Sequence, residues 1–346
     1  MIRTLKHYLI RILRNLIIFA LAVVLLVIAT CVGMFVYTTT HLTKPVALAE
    51  TAIVDIAPGT GKRQFIQLLT EKKLIQHPVL WQIYFGFFAR DFQLKYGEYE
   101  ITPQNSLNDL LDRIKQYQVV TYKFTLVEGW NLKQVLAALA ELKLEQHNLQ
   151  GTDQNKIRQL ERVFGKQNLE GWFFADTYYY HKYMDDILLL KQAYQKMQGV
   201  LEEIWATRTK NLPLDEPYEA LILASIVEKE AGSITEQPLI AAVFINRLNR
   251  NMRLQSDPTV IYGLGANFDG NITRKHLRTP NAYNTYTISG LPATPIASVG
   301  RNALQAVTQP AQTQALYFVS RGDGSHYFSA TLREHNAAVR RYQLGK

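Results

Sequence analysis

The sequence predicts an α+β protein behind a single transmembrane helix, with a small strand-helix-helix-strand unit ahead of a larger mixed domain. Three observations carry this: an uncharged apolar run near the N-terminus, that order of signals between residues 51 and 101, and mingled strand and helix signals without repeats beyond residue 119.

The apolar run is Leu16–Tyr37, twenty-two residues without a charge. At about 1.5 Å per residue it spans the roughly 30 Å hydrocarbon layer of a bilayer. Arg3, Lys6, Arg11 and Arg14 precede it with no acidic residue among them, so residues 1–15 read as a cytoplasmic basic tail and the rest of the chain as exported. The competing reading is a signal peptide cut after Ala47-Leu48-Ala49. Against it, the run exceeds the usual h-region of roughly 7–15 residues and the site lies well beyond its end. The single cysteine, Cys31, falls inside the run, so no disulfide framework or cysteine-based zinc site can form. Of 38 basic residues, the 34 outside the tail face 29 acidic ones, a net +5. They are scattered, which gives no ground for a nucleic-acid partner.

Residues 38–50 read as a linker and residues 51–118 as the small unit. Thr51–Ile56 is a strand and Pro58–Gly61 a turn. Phe65, Ile66, Leu68 and Leu69 recur at helical spacing, as do Leu80, Ile83, Tyr84, Phe87 and Phe88 after His77-Pro78. Tyr96–Ile101 alternates as a strand, and Ser106 with Asp109 caps a helix bearing Leu107, Leu110, Leu111 and Ile114. Residues 119–346 form the larger domain. It opens on a strand at Val119–Val127 and has helices at Asn131–Lys143, Ile187–Ala206 and Pro217–Ala231. It ends in a hairpin of Leu316–Val319 with His326–Ser329 and a helix boxed by Thr331 and Glu334.

The segment from Asp215 to Gly232 carries the most chemistry. On a helical wheel Ile222, Leu223, Ile226 and Val227 share one arc with Glu230 near its middle, whereas Glu228 lies about 200° away. A carboxyl on an apolar stripe at a helix C-terminus is desolvated and feels the negative dipole end, so its protonated form is favoured, as a general acid requires. The alternative is that the helix frays before Glu230 and leaves it solvated. Glu228 and Glu230 diverge, so an ordinary two-carboxylate glycosidase would need Asp257, Asp176 or Glu170 as its second acid. Aromatics interleaved with acids at Leu169–Tyr180 suit either sugar rings or a core. Two polar stretches, Asn246–Thr259 and Tyr283–Thr287, read as loops that line a groove or simply turn the chain. No HExxH, GxSxG, Walker A or GxGxxG pattern occurs, and lone His276, His326 and His335 read as structural, so neither a metal nor a cofactor is expected.

Together these stretches resemble the endolytic murein transglycosylase family, the MltG or YceG-like membrane proteins of bacteria. The resemblance runs through PGTG at 58–61, LVEGW at 126–130, the 170–178 motif, ASIVEKE at 224–230, VFINRL at 243–248, MRLQSDPTVIYG at 252–263 and AYNTYTISGLP at 282–292. Ala175 stands where the family usually has proline. The resemblance implies a LysM-like module for the small unit and a catalytic domain facing the cell wall, with peptidoglycan strands as substrate and peptidoglycan synthases as partners. It implies Glu230 as the one catalytic acid; Glu170, Asp176, Glu228, Gln255, Asp257, Tyr283, Asn284 and Tyr286, from the clusters above, are the candidates for its substrate-binding surroundings. It implies cleavage of the MurNAc-GlcNAc bond to 1,6-anhydro ends. A muramidase-type hydrolase or a non-catalytic glycan-binding scaffold are the alternatives. The implied location is the bacterial inner membrane, with the catalytic domain periplasmic.

Overall fold

The computed structural model describes residues 2–345; the side chain of Arg3, one of the four N-terminal cations, lies outside the described residues. Helix and strand are mixed, and one N-terminal helix is long and apolar enough to cross a membrane. The chain divides into two compact units, the first reaching Thr121 and including His181–Tyr183, the second taking Tyr122–Tyr180 and Met184 onward.

The first unit begins with α1 (Ile2–Thr43). The helix does not stop at Tyr37 as expected but runs six residues into the anticipated linker. Threonines that would otherwise weaken it bond back to the preceding turn, Thr38 to the Met34 carbonyl at 2.9 Å and Thr40 to that of Val36 at 2.8 Å. Thr38 and Leu42 are buried. There follow β1 (Ala52–Ile56), α2 (Lys62–Glu71), α3 (Pro78–Ile83), β2 (Gly97–Ile101) and α4 (Leu107–Gln116). β1 and β2 pair antiparallel with Val54 opposite Tyr99, so Val54, Ile56, Tyr99 and Ile101 all face one core. Helices supply Phe65, Leu69, Trp81, Leu110 and Ile114 to the same core. Ser106 and Asp109 form the expected capping box. The second helical stretch is not uniform: behind α3, Tyr84–Phe88 widens into a π turn.

The second unit comprises β3 (Tyr122–Thr125), α5 (Leu132–Ala140), α6 (Asp153–Phe164), β4 (Thr177–Tyr180), α7 (Asp186–Ala206), α8 (Pro217–Glu230), α9 (Gln237–Asn249), α10 (Asp257–Leu264), α11 (Arg274–Arg278), α12 (Arg301–Thr308), β5 (Tyr317–Ser320), β6 (His326–Ser329) and α13 (Leu332–Gln343). β3 is shorter than the expected strand because Val119 packs in the first unit's core and the Val120 amide donates to the Glu98 carbonyl at 2.7 Å. It pairs with β4, the tyrosine run of the aromatic cluster. β5 and β6 form the expected hairpin, and Thr331 with Glu334 caps α13.

α8 is the axis of this unit, packed by α7, α9, α10 and α12. Ala220 through Val227 are all buried, so the helix is enclosed on every side rather than along one arc. Of the two polar stretches expected as loops, the first is partly helical, since Asn246–Leu248 lie in α9 and Asp257 opens α10, whereas Tyr283–Thr287 lies outside any helix or strand.

Candidate active site

Glu230 is the last residue of α8, which stays helical to that point. The chain then turns extended at Ala231 and passes Gly232 against the 321–324 turn. A Cβ on Gly232 would lie 2.3 Å from the Gly324 carbonyl oxygen, so only glycine permits this approach.

Ser256 donates its hydroxyl to Glu230 Oε1 at 2.6 Å. Ser256 is the N-cap of α10, a position whose side chain ordinarily accepts from the first-turn amides, yet it makes no such cap bond. Its hydroxyl is diverted to the carboxylate. The loop that presents it is rigidly held. The Ser256 amide donates to Thr285 Oγ1 at 2.9 Å, Thr259 donates to the Ser256 carbonyl at 2.6 Å, and the Gln255 amide donates to the Thr285 carbonyl at 3.2 Å. Gln255 itself adopts a left-handed backbone, φ 50°, a conformation that costs about 1–2 kcal/mol outside glycine. Buried Arg247 on α9 anchors the approach to it, donating to the carbonyls of Leu254 at 2.9 Å, Arg253 at 3.2 Å and Leu316 at 2.7 Å.

Burial pushes the Glu230 carboxyl above the usual carboxylate range; the Ser256 bond draws it back, Asp257 raises it further, and His326 and Arg247 oppose that. Glu230 sits at the carbonyl end of α8, which acts in the same direction as burial. His326 is held in turn by Glu236, ring nitrogen to carboxylate at 2.8 Å, with its amide on the other oxygen at 2.8 Å.

The other expected site residues divide into two groups. Gln255, Asp257 and Tyr286 gather beside Glu230: Tyr286 donates to Asp257 at 2.7 Å, Gln255 Oε1 accepts from Arg247 at 3.4 Å, and Asp257 follows Ser256 directly. The second group is committed to the protein itself. Glu228 accepts from the Gly300 amide at 3.2 Å and from Gln237 at 3.5 Å, and burial raises its carboxyl too, because α8 is enclosed on the side the wheel leaves polar. Glu170, 5% exposed, accepts from the Leu132 amide at the start of α5 at 2.9 Å and from Tyr262 at 2.8 Å; burial pushes it up to about 7. Tyr283 packs its ring 4.8 Å from that of Tyr262 and shares a hydrogen bond with Thr294 at 3.1 Å. Asn284, 0% exposed, spends its amide on the carbonyls of His276 at 3.0 Å and Thr279 at 2.8 Å, where it closes the end of α11. Asp176 pairs with Lys196, which holds its carboxyl low. At Ala175 the amide donates to the Val299 carbonyl at 3.2 Å, a bond that proline could not make.

Ser256, Thr285 and Arg247 are the contributors that sequence reasoning passed over. Ser256 and Arg247 lie inside quoted motifs, but their contacts reach 26 residues back to Glu230 and 69 residues on to Leu316, and no local pattern signals a pairing of that range. A cleft of about 370 Å³ opens at the opposite end of α8, where Tyr218 and Ile222 face Gly290–Pro292.

The YceG-like family profile matches residues 54–341. A protein named endolytic murein transglycosylase from Bacillus subtilis (strain 168) is 29% identical over 313 residues, 86% of either chain. One of the same name from Streptococcus pneumoniae serotype 2 (strain D39) is 25% identical over 320 residues; the match takes 83% of this chain and 57% of that protein. Among solved structures, a YceG-like protein from Listeria monocytogenes superposes with a TM-score of 0.52 at 26% identity, over 84% of this chain and 99% of that one. A profile match over most of the chain, collinear with the motifs that surround Glu230, makes this protein a member of the YceG-like family.

Proposed function

We propose that the chain is a membrane-anchored lytic transglycosylase that cuts nascent peptidoglycan strands internally at the MurNAc-GlcNAc bond. The observation that carries this reading is Glu230: a carboxyl raised by burial and bonded, among the described residues, only to the Ser256 hydroxyl, while Glu228, Glu170 and Asp176 are spent on amides, a phenol and a lysine. The protonated form gives its proton to the glycosidic oxygen as the bond to the muramic C1 breaks. The resulting carboxylate takes the proton of the muramic C6 hydroxyl as that oxygen closes on C1. The proton count balances, water is not consumed, and a 1,6-anhydro end results. Gln255, Asp257 and Tyr286 line the sugar side of this acid, and Ser256 aims it.

In this reading the first unit is a LysM-like glycan-binding module of residues 51–118, and residues 119–346 are the catalytic domain. Residues 16–37 hold both to the inner membrane, with residues 1–15 cytoplasmic and the rest periplasmic beside the synthases whose strands are terminated. Leu42 and Val46 lie in the module's core, so cleavage after Ala49 would strip two buried side chains from it, which favours an anchor over a signal peptide. Asp257, adjacent to Ser256, is the one observation that favours the hydrolase alternative, since a second carboxylate could there activate water.

The test is product analysis by mass after incubation with uncrosslinked glycan strands. Anhydro ends are expected, and Glu230→Gln is expected to lower the rate at least about 10³-fold while unfolding and glycan binding stay unchanged. Reducing ends would establish the hydrolase, and an active Glu230→Gln protein would remove Glu230 from the chemistry.

A further inference from the structure

α3 and the π turn behind it present an apolar ridge: Phe87 is 80% exposed, Val79 63% and Phe88 51%, while Trp81 and Phe85 of the same stretch are buried in the core. The wide turn divides the aromatic run, sending Phe85 inward and Phe87 outward. The ridge adjoins α1 at a definite height. The Phe88 ring lies 4.9 Å from that of Phe35, and the His77 ring 6.0 Å from that of Tyr37. Phe35 is inside the uncharged run, two residues or about 3 Å of helix from its end. α1 continues without a break to Thr43, and Pro45 bridges to Ser106, so the module is fixed at that height.

We propose that the Val79–Phe88 ridge is a second membrane contact, seated in the interfacial layer of the outer leaflet beside the anchor, with the lipid bilayer itself as its partner. The inference rests on the anchor reading above. Backbone carbonyls at that depth need partners inside the protein, and the Lys62 ammonium supplies them, donating to the carbonyls of Phe85 at 3.4 Å, Ala89 at 3.0 Å and Arg90 at 2.6 Å. Interfacial helices carry Phe, Trp and Leu on their apolar face, and at the two ends of the stretch Lys72, Lys73 and Arg90 outnumber Glu71 and Asp91, which suits anionic headgroups.

The experiment uses the full chain, with Cys31→Ser, in vesicles of phosphatidylethanolamine and phosphatidylglycerol. An environment-sensitive fluorophore is placed at Phe87→Cys, at Ile28→Cys within the span, or at Asp112→Cys on the exposed face of α4. Lipids carrying a nitroxide near the headgroup end of the acyl chain should quench the Phe87→Cys probe about twofold or more and leave Asp112→Cys bright. If Ile28→Cys is buried in lipid while Phe87→Cys behaves as Asp112→Cys, the anchor stands and the ridge proposal falls. If Ile28→Cys is itself exposed to water, the anchor reading fails and takes the proposal with it. Shielding of Phe87→Cys that follows protein density rather than lipid, with no nitroxide quenching, would mean a second copy of the chain covers the ridge, and would also overturn it. Phe87 is exposed, so these outcomes do not depend on a substitution the core must tolerate.

Discussion

The two units bury different things. Among the described residues, the first unit closes on an apolar core with only Thr38 and Ser106 as buried polar side chains. The second buries Glu170, Asp186, Arg247, Ser256, Thr259, Asn284 and Thr285, among others. Polar burial costs free energy unless each group finds a partner, and it concentrates around Glu230 and the 254–259 and 284–285 segments that surround it. The first unit buries almost only apolar side chains; the second accepts the cost of polar burial around one carboxyl that its surroundings raise.

The sharpest test sets a core residue of each unit against the other. Trp81→Ala should cost the first unit about 3–5 kcal/mol in denaturant unfolding and leave the turnover of short soluble glycan strands within a factor of about three. Arg247→Ala removes a buried charge from three carbonyls and should cost about 3 kcal/mol or more while also abolishing most turnover, because the Leu254–Ser256 approach loosens. Equal loss of turnover in both variants would break the comparison.

A smaller effect concerns Glu170, whose carboxyl is raised by burial from an ordinary 4.5 to about 7. A group raised on folding adds stability that is complete below its unfolded value and lost as pH climbs through the folded one. Stability should therefore fall between about pH 4.5 and 7 by up to about 3 kcal/mol, and Glu170→Gln should flatten that fall in thermal melts across this range. The smallest effects are a matched pair at the acid itself. Ser256→Ala removes a bond that lowers Glu230, so the alkaline limb of the activity profile should move up. Asp257→Asn removes a charge that raises it, so the limb should move down. Shifts of the same sign would show that Glu230 is not the titrating group.

Much of the fold was legible because it is written locally. The Ser106 and Thr331 capping boxes, the alternation of β1 and β2 and the hairpin at 317–329 are all set by neighbours a few residues apart. α8 was legible in its start at Pro217, but its hold as far as Glu230 stayed open, and its enclosure was out of reach, since the wheel cannot see that the Ile296 and Gly300 amides bond Ser225 and Glu228. Glu230 could be singled out from its place on the helix. Ser256 could not, because its one telling bond replaces the cap bond that its position predicts. Asn284 illustrates the reverse: a polar residue in a loop motif looks available for a ligand until the three carbonyls that end α11 claim it.

The contact between Gly232 and the Gly324 carbonyl has a consequence for how such a chain can diversify. The residue two places after the acid and a hairpin turn far along the sequence share one space, so neither segment can drift alone. Lengthening the 321–324 turn, or admitting any side chain at position 232, moves the end of α8 and with it the acid. A survey of tolerated substitutions should find freedom on the outer faces of α6 and α13, and almost none at this crossing.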